Sequence, residues 1–433
     1  MRKKGRPVPE WLNSPIWSAP PPAPAPPDPY GADLAPPPPP KPPPPVATAP
    51  PMPPPPSYEQ AVREGGGRGD EEEEGAGAVL RAHLLADFKA ALSKKVVNMG
   101  ELQRLACLGV PDGGAGVRPV VWKLLLGYLP TDRGLWPYEL EKKRSQYSAY
   151  KEEFLLNPSE KLRRIEESKL SRKKELNIER IGLLPRLEVT NEEHPLSSGK
   201  SSLWNQYFQE SEILEQIDRD VKRTHPDISF FSAKSNQESL RRILIIFSKS
   251  NPSIRYVQGM NEVLAPLFYV FKNDPDPSSS ASAEADTYFC FVELLSGFKD
   301  NYCKHLDNSS VGIRSTLSKL SQLLKRHDEE LWRHMEVTTK VYPQYYAFRW
   351  ITLLLTMEFS FNVCIHIWDA ILGDPEGPPD TLMRICCAML ILVRKRLLAG
   401  DFTANIQLLQ HYPATNIDHL LHIANRLRGT VAS

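Results

Sequence analysis

From residue 79 to residue 428, apolar side chains recur every three or four positions with few interruptions. That spacing follows the turn of a helix and not the two-residue alternation of a strand. Val79, Leu80, Leu84, Leu85, Phe88 and Leu92 set the pattern. It returns over residues 102–108, 118–129, 204–222, 238–248, 257–271, 286–298, 313–325, 348–357, 381–398 and 417–428. Asn251-Pro252, the run Asp274-Pro275-Asp276-Pro277, and Gly373 through Pro379 separate these segments with residues that break helices. The spacing therefore predicts an all-α domain over 79–428, large enough to divide into two helical lobes. No repeat of the length used by helical solenoids is visible.

Two stretches depart from the pattern. Of the 42 prolines, 25 fall within residues 1–60. Proline removes backbone donors, and few large apolar residues remain there to build a core, so 1–78 reads as a disordered proline-rich tail. Its run over 36–45, broken by Lys41, suits polyproline II, and Pro55-Pro56-Ser57-Tyr58 fits the pattern bound by WW domains. The tail is either a solvated spacer or a docking segment for SH3, WW or EVH1 proteins through 36–58. Residues 139–200 are rich in Lys, Arg and Glu and read as a charged helical insertion ending in a loop.

Several function classes find no support. With 53 Lys and Arg against 52 Asp and Glu, no basic excess points to nucleic acid. Cys107, Cys290, Cys303, Cys364, Cys386 and Cys387 form no C-x-x-C pair and stand in apolar surroundings, as reduced thiols of an intracellular protein do. No apolar run reaches the ~18 residues of a membrane helix. The N-terminus is basic but lacks the apolar core of a secretory signal. Gly199-Lys200-Ser201 is not a phosphate loop, because the glycine required five residues earlier is His194. His419 and His422 share a predicted helix face but have no third ligand nearby, so no metal is expected. No self-contained hydrolytic motif is present.

Three short segments carry chemistry: Arg118 with Trp122; Ile217, Asp220 and Arg223; and Tyr256, Gln258, Gly259 and Asn261. Ile217, Asp220 and Arg223 are three apart and share one side of a helix, with Arg223 just ahead of the stop Thr224-His225-Pro226. On spacing alone Arg223 reads first as an ordinary helix-end surface arginine. Gly259 permits a sharp turn that presents Gln258. Arginine and glutamine together suit GTP hydrolysis. That reaction needs fixed positive charge on the phosphoryl oxygens and an oriented water, and little else from protein.

At these residues the chain resembles the TBC-domain family of Rab GTPase-activating proteins. The family motifs R-x-x-x-W, I-x-x-D-x-x-R and Y-x-Q stand in order as Arg118/Trp122, Ile217/Asp220/Arg223 and Tyr256/Gln258. The strings over 225–231, 256–262, 284–287, 347–350 and 400–403 place it near the member 13 subfamily. The resemblance spans about 80–428 and implies a two-lobed TBC fold, a GTP-bound Rab as partner and a role in vesicle trafficking. It further implies a dual finger acting in trans. Arg223 would serve as arginine finger and Gln258 as the group that positions water. Asp220 would either orient Arg223 or pair with Arg118, with Trp122 packed beneath. GTP and Mg²⁺ would belong to the Rab, leaving this chain without a cofactor, cytoplasmic, and recruited to membranes through its partner. The segment between Pro111 and Arg118 is longer and more glycine-rich than the family pattern. A non-catalytic Rab-binding scaffold working through its tail is the alternative.

Overall fold

The apolar stripes bury themselves by helix-on-helix packing. The structure is a computed structural model describing residues 70–111, 116–155, 203–303, 306–307 and 309–428, with side chains for all of these but 70–78 and 203–210. The longer helices are α1 (Asp70–Ser93), α2 (Met99–Ala106), α3 (Val117–Leu125) and α4 (Trp136–Phe154). Then come α5 (Leu203–Arg223), α6 (Lys234–Ser250), α7 (Met260–Lys272) and α8 (Ala283–Ser296). The second half holds α9 (Ile313–His327), α10 (Ala347–Thr352), α11 (Phe361–Gly373), α12 (Pro378–Leu392), α13 (Phe402–Gln410) and α14 (Ile417–Arg426). Among the described residues there is no strand, only an isolated bridge between Val96 and Asp132. None of the described helices is long and apolar enough to cross a membrane.

Helix starts follow local chemistry. Asn98 accepts from the Glu101 amide, Asp401 from Ala404 and Asn416 from His419, each satisfying a donor that the first turn leaves open. Proline opens α4 and α12, where no amide donor is needed.

Helices α4 to α8 pack on one another, as do α9, α12 and α14. Helix α11 joins the two groups, lying against α2, α3 and α7 on one side and α12 and α14 on the other. That position explains why its sequence, FNVCIHIWDAILG, carries no amphipathic stripe to read: ten of its thirteen residues are buried.

Other expectations shift. Helix α1 begins at Asp70, ahead of the predicted start. The stretch 381–398 divides at Val393 into α12 and a short helix Arg394–Ala399. The helix expected over 348–357 ends at Thr352, because Leu354 and Leu355 take φ values of 49° and 64°.

The charged segment from 139 is no solvated excursion where it is described. In α4, Tyr147 is buried and donates to Glu284 Oε1 at 3.0 Å. Arg144 chelates Asp286 at 3.0 and 2.8 Å, and Lys123 and Tyr128 reach the same carboxylate at 2.7 Å each. Charges therefore fasten α4 to α8. The remainder of the insertion, the tail over 1–69 with Pro55, Pro56 and Tyr58, and residues 112–115 lie outside the described residues. All six cysteines are free, five of them buried.

Candidate functional site

Asp220 is the hub of the second and third motifs. Ile217, one turn earlier on α5, is fully buried and fixes the helix face that carries Asp220 inward. The Asp220 carboxylate has no solvent exposure. Oδ1 takes Gln216 Nε2 and Arg223 Nη2, both at 2.8 Å. Oδ2 accepts from the Tyr256 hydroxyl at 2.6 Å. Burial and the Asp220 charge push the Tyr256 phenol above its ordinary pKa, so it stays a donor. One buried carboxylate thus ties the helix end bearing Arg223 to the loop two residues ahead of Gln258. Of the two roles open to Asp220, it takes the pairing with Arg223.

The Arg223 side chain is 56% exposed although its partner is wholly buried. A guanidinium has five N–H donors, so one can rest on Asp220 while others face solvent. Gln258 is also exposed, in the turn before α7.

Gly259 begins α7 with φ 97°, and a β-carbon there would lie 2.5 Å from Leu353 Cδ2. Glycine is required twice over, by the left-handed backbone and by the approach of a buried leucine.

Asn261 closes the site from below. Its amide nitrogen donates to Thr224 Oγ1 at 2.9 Å, to Glu262 Oε1 at 2.7 Å and to the Asp220 carbonyl at 3.3 Å. The other Glu262 oxygen lies 3.3 Å from His225 Nε2, without hydrogen-bond geometry. Burial raises the Glu262 carboxyl to about 7, against the pull of Asn261 and Arg223. Burial also lowers His225, which Asp227 opposes. His225 turns the chain out of α5 with φ 38° and sets its ring edge-on to Phe361, 4.8 Å between centroids.

The first motif builds elsewhere. Arg118 and Trp122 on α3 converge on Asp369 of α11. Arg118 donates from Nε at 3.1 Å and Nη2 at 3.0 Å, and Trp122 Nε1 donates at 2.7 Å. The Val110 amide gives Asp369 a further bond at 3.0 Å, and Arg118 also donates to the Val110 carbonyl. Trp122 packs against Trp368. Arg118 therefore does not pair with Asp220. It acts through α11, whose Phe361 end lies against His225 and whose Asp369, about 12 Å further along the helix, receives the first motif.

Gln216, Thr224, His225, Glu262, Leu353 and Asp369 were not singled out from the sequence. The first four sit within four residues of a motif position, which is the signal that could have found them. Asp369 and Leu353 are distant in the chain, with no local signal. Among the described residues no group of three or more His, Cys, Asp or Glu is placed to hold a metal, and His419 and His422 are exposed on α14.

Comparison with known proteins adds a family to this geometry. Residues 115–398 match the Rab-GTPase-TBC domain. TBC1 domain family member 13 of Homo sapiens is 34% identical over 411 residues, covering 80% of this chain and 98% of that protein. The Homo sapiens TBC1 domain family member 22B is 29% identical, covering 76% of this chain and 57% of its own. The crystal structure of the Ypt/Rab-GAP domain of Gyp1p superposes with a TM-score of 0.61 at 26% identity, covering 80% of this chain and 97% of that one.

Proposed function

The chain belongs to the Rab-GTPase-TBC domain family, and on that premise we propose that it accelerates GTP hydrolysis by a Rab GTPase using Arg223 and Gln258 in trans. The observation that carries this reading is the Asp220 hub, which links an exposed arginine to the loop of an exposed glutamine through one buried carboxylate.

In this reading Arg223 supplies permanent positive charge to the phosphoryl oxygens as their charge develops. Asp220 limits the arginine's rotamers beforehand, so less freedom is lost on docking. Gln258, held at the turn that Gly259 permits, donates and accepts hydrogen bonds to align the attacking water. Asn261 and Thr224 keep α5 and α7 in register beneath both. Arg118, Trp122 and Asp369 hold α11, the floor of the site. The nucleotide and Mg²⁺ arrive with the Rab, this chain brings no cofactor of its own, and membrane association runs through the bound Rab in trafficking.

The test is a screen of purified GTP-loaded Rabs for accelerated phosphate release, with Arg223→Lys beside the wild type. At least one Rab is expected to respond, the protein alone to release nothing, and the lysine variant to fail because an ammonium lacks the planar fork. Full activity in Arg223→Lys would remove the finger assignment.

A further inference from the structure

We infer that Arg255 is a specificity-determining residue, whose guanidinium pairs with a carboxylate on the face of the GTPase that receives Arg223 and Gln258. The inference rests on the function proposed above and names a contact that function does not use.

Arg255 immediately precedes Tyr256 and stands three residues before Gln258. Its backbone lies in the left-handed region, φ 59°, which glycine adopts freely and a residue with a side chain adopts only under strain. The loop imposes this conformation. The Arg255 amide donates to the Asn251 carbonyl at 2.8 Å, and Asn251 is itself anchored to the end of α6 through the Phe247 carbonyl. With Tyr256 turned inward to Asp220, Arg255 stands exposed on the outer side of the same loop. Among the described residues its guanidinium has no hydrogen-bond or ion-pair partner. Arg242, Arg349 and Arg384, by contrast, each hold a carboxylate of this chain. A strained position that would favour glycine thus carries a long cation with no carboxylate to hold among the described residues. Strain of this kind gathers at functional sites.

Its chemistry follows from its place. Arg223 already supplies the charge for the reacting phosphate, while Arg255 belongs to the rim. Lys222 and Arg223, at the end of α5 that the Asp220–Tyr256 bond ties to this loop, are exposed as well, as is Asp227 beyond His225. With a net charge of only +1, the whole chain steers a partner weakly, so an unpaired local cation weighs more in encounter. A rim charge changes association and salt dependence more than the chemical step.

The experiment measures kcat and KM of a responding Rab at low and high salt for wild type, Arg255→Gly, Arg255→Lys, Arg255→Glu and Lys340→Gly. Lys340 is the control: it is also exposed with φ 59°, at the end of the π-helical turn Arg333–Thr338, so its glycine variant relieves the same strain. Arg255→Gly is expected to raise KM about three- to fivefold and flatten its salt dependence, with kcat unchanged. Arg255→Glu should raise KM about tenfold, Arg255→Lys should keep the salt dependence, and Lys340→Gly should match wild type. Wild-type KM in Arg255→Gly, or an equal change in Lys340→Gly, overturns the inference. A fall in kcat instead of a rise in KM also overturns it and assigns Arg255 to the nucleotide. If no Rab responds to wild type, the proposed function fails and the inference falls with it. If wild type responds and the Arg255 variants do not differ from it, the inference alone fails.

Discussion

Asp220 and Asp369 are the same device put to different ends. Each is a fully buried carboxylate that receives an arginine and an aromatic donor, Arg223 and Tyr256 in one case, Arg118 and Trp122 in the other. They differ in the arginine. The Arg118 side chain is 10% exposed and shares its donors between Asp369 and the Val110 carbonyl, whereas that of Arg223 is 56% exposed. A buried arginine can only fix helices to one another, whereas a half-exposed one keeps donors for a partner, as the proposed function requires of Arg223.

The sharpest way to break this comparison is to truncate both arginines. Arg223→Ala is expected to lower Rab-stimulated hydrolysis by ~10³-fold or more, with the melting temperature little changed. Arg118→Ala should do the reverse. It leaves the buried Asp369 without its guanidinium, costing about 3–5 kcal/mol by urea unfolding, while residual folded protein keeps its kcat. Equal losses of stability in both would erase the distinction.

Gly259→Ala comes next. A β-carbon at φ 97° that meets a buried leucine should cost about 2–3 kcal/mol and displace Gln258, so kcat falls along with stability. A neutral outcome would mean the loop can yield at Leu353.

Glu262 adds a pH dependence at the Asp220 hub. Its carboxyl is raised from 4.5 to about 7, so the folded state favours the protonated form. That contribution is complete below the unfolded pKa and is lost as pH rises through 7. Glu262→Gln abolishes the titration, so its stability relative to wild type should rise by about 3 kcal/mol between pH 4 and pH 8. A constant difference across that range would show that Glu262 is ionised throughout.

The smallest effect is expected from deleting residues 1–67, which stops short of α1 at Asp70. If both hubs and their helices suffice, kcat/KM on a free Rab stays within about twofold of the full chain. A larger loss would favour a tail-driven scaffold and widen the site beyond the two hubs.

Much of this was legible in advance, for identifiable reasons. Helices α5, α9 and α14 bury one face, so their apolar spacing survives in the sequence. Helix α11 buries nearly every face, and no period remains to be read. Arg118/Trp122, Ile217/Asp220/Arg223 and Tyr256/Gln258 were visible because the residues of each motif lie within about two turns of chain of one another. What each pair does was less visible. Asp220 stood equally open to Arg118 and to Arg223, because local spacing contains no information about a third helix.

By itself, then, the sequence determined the all-helical class, the place of the segments that carry Arg223 and Gln258, and the use of glycine at 259 to turn the chain. Only the tertiary structure decided that Arg118 belongs to Asp369, 251 residues away, that α11 lies beneath both clusters, and that Arg223 remains exposed over a buried partner. The physical reason is range. Helix period, capping and turn chemistry act over a few residues, whereas the choice of partner for a buried charge depends on which helices the whole core brings together.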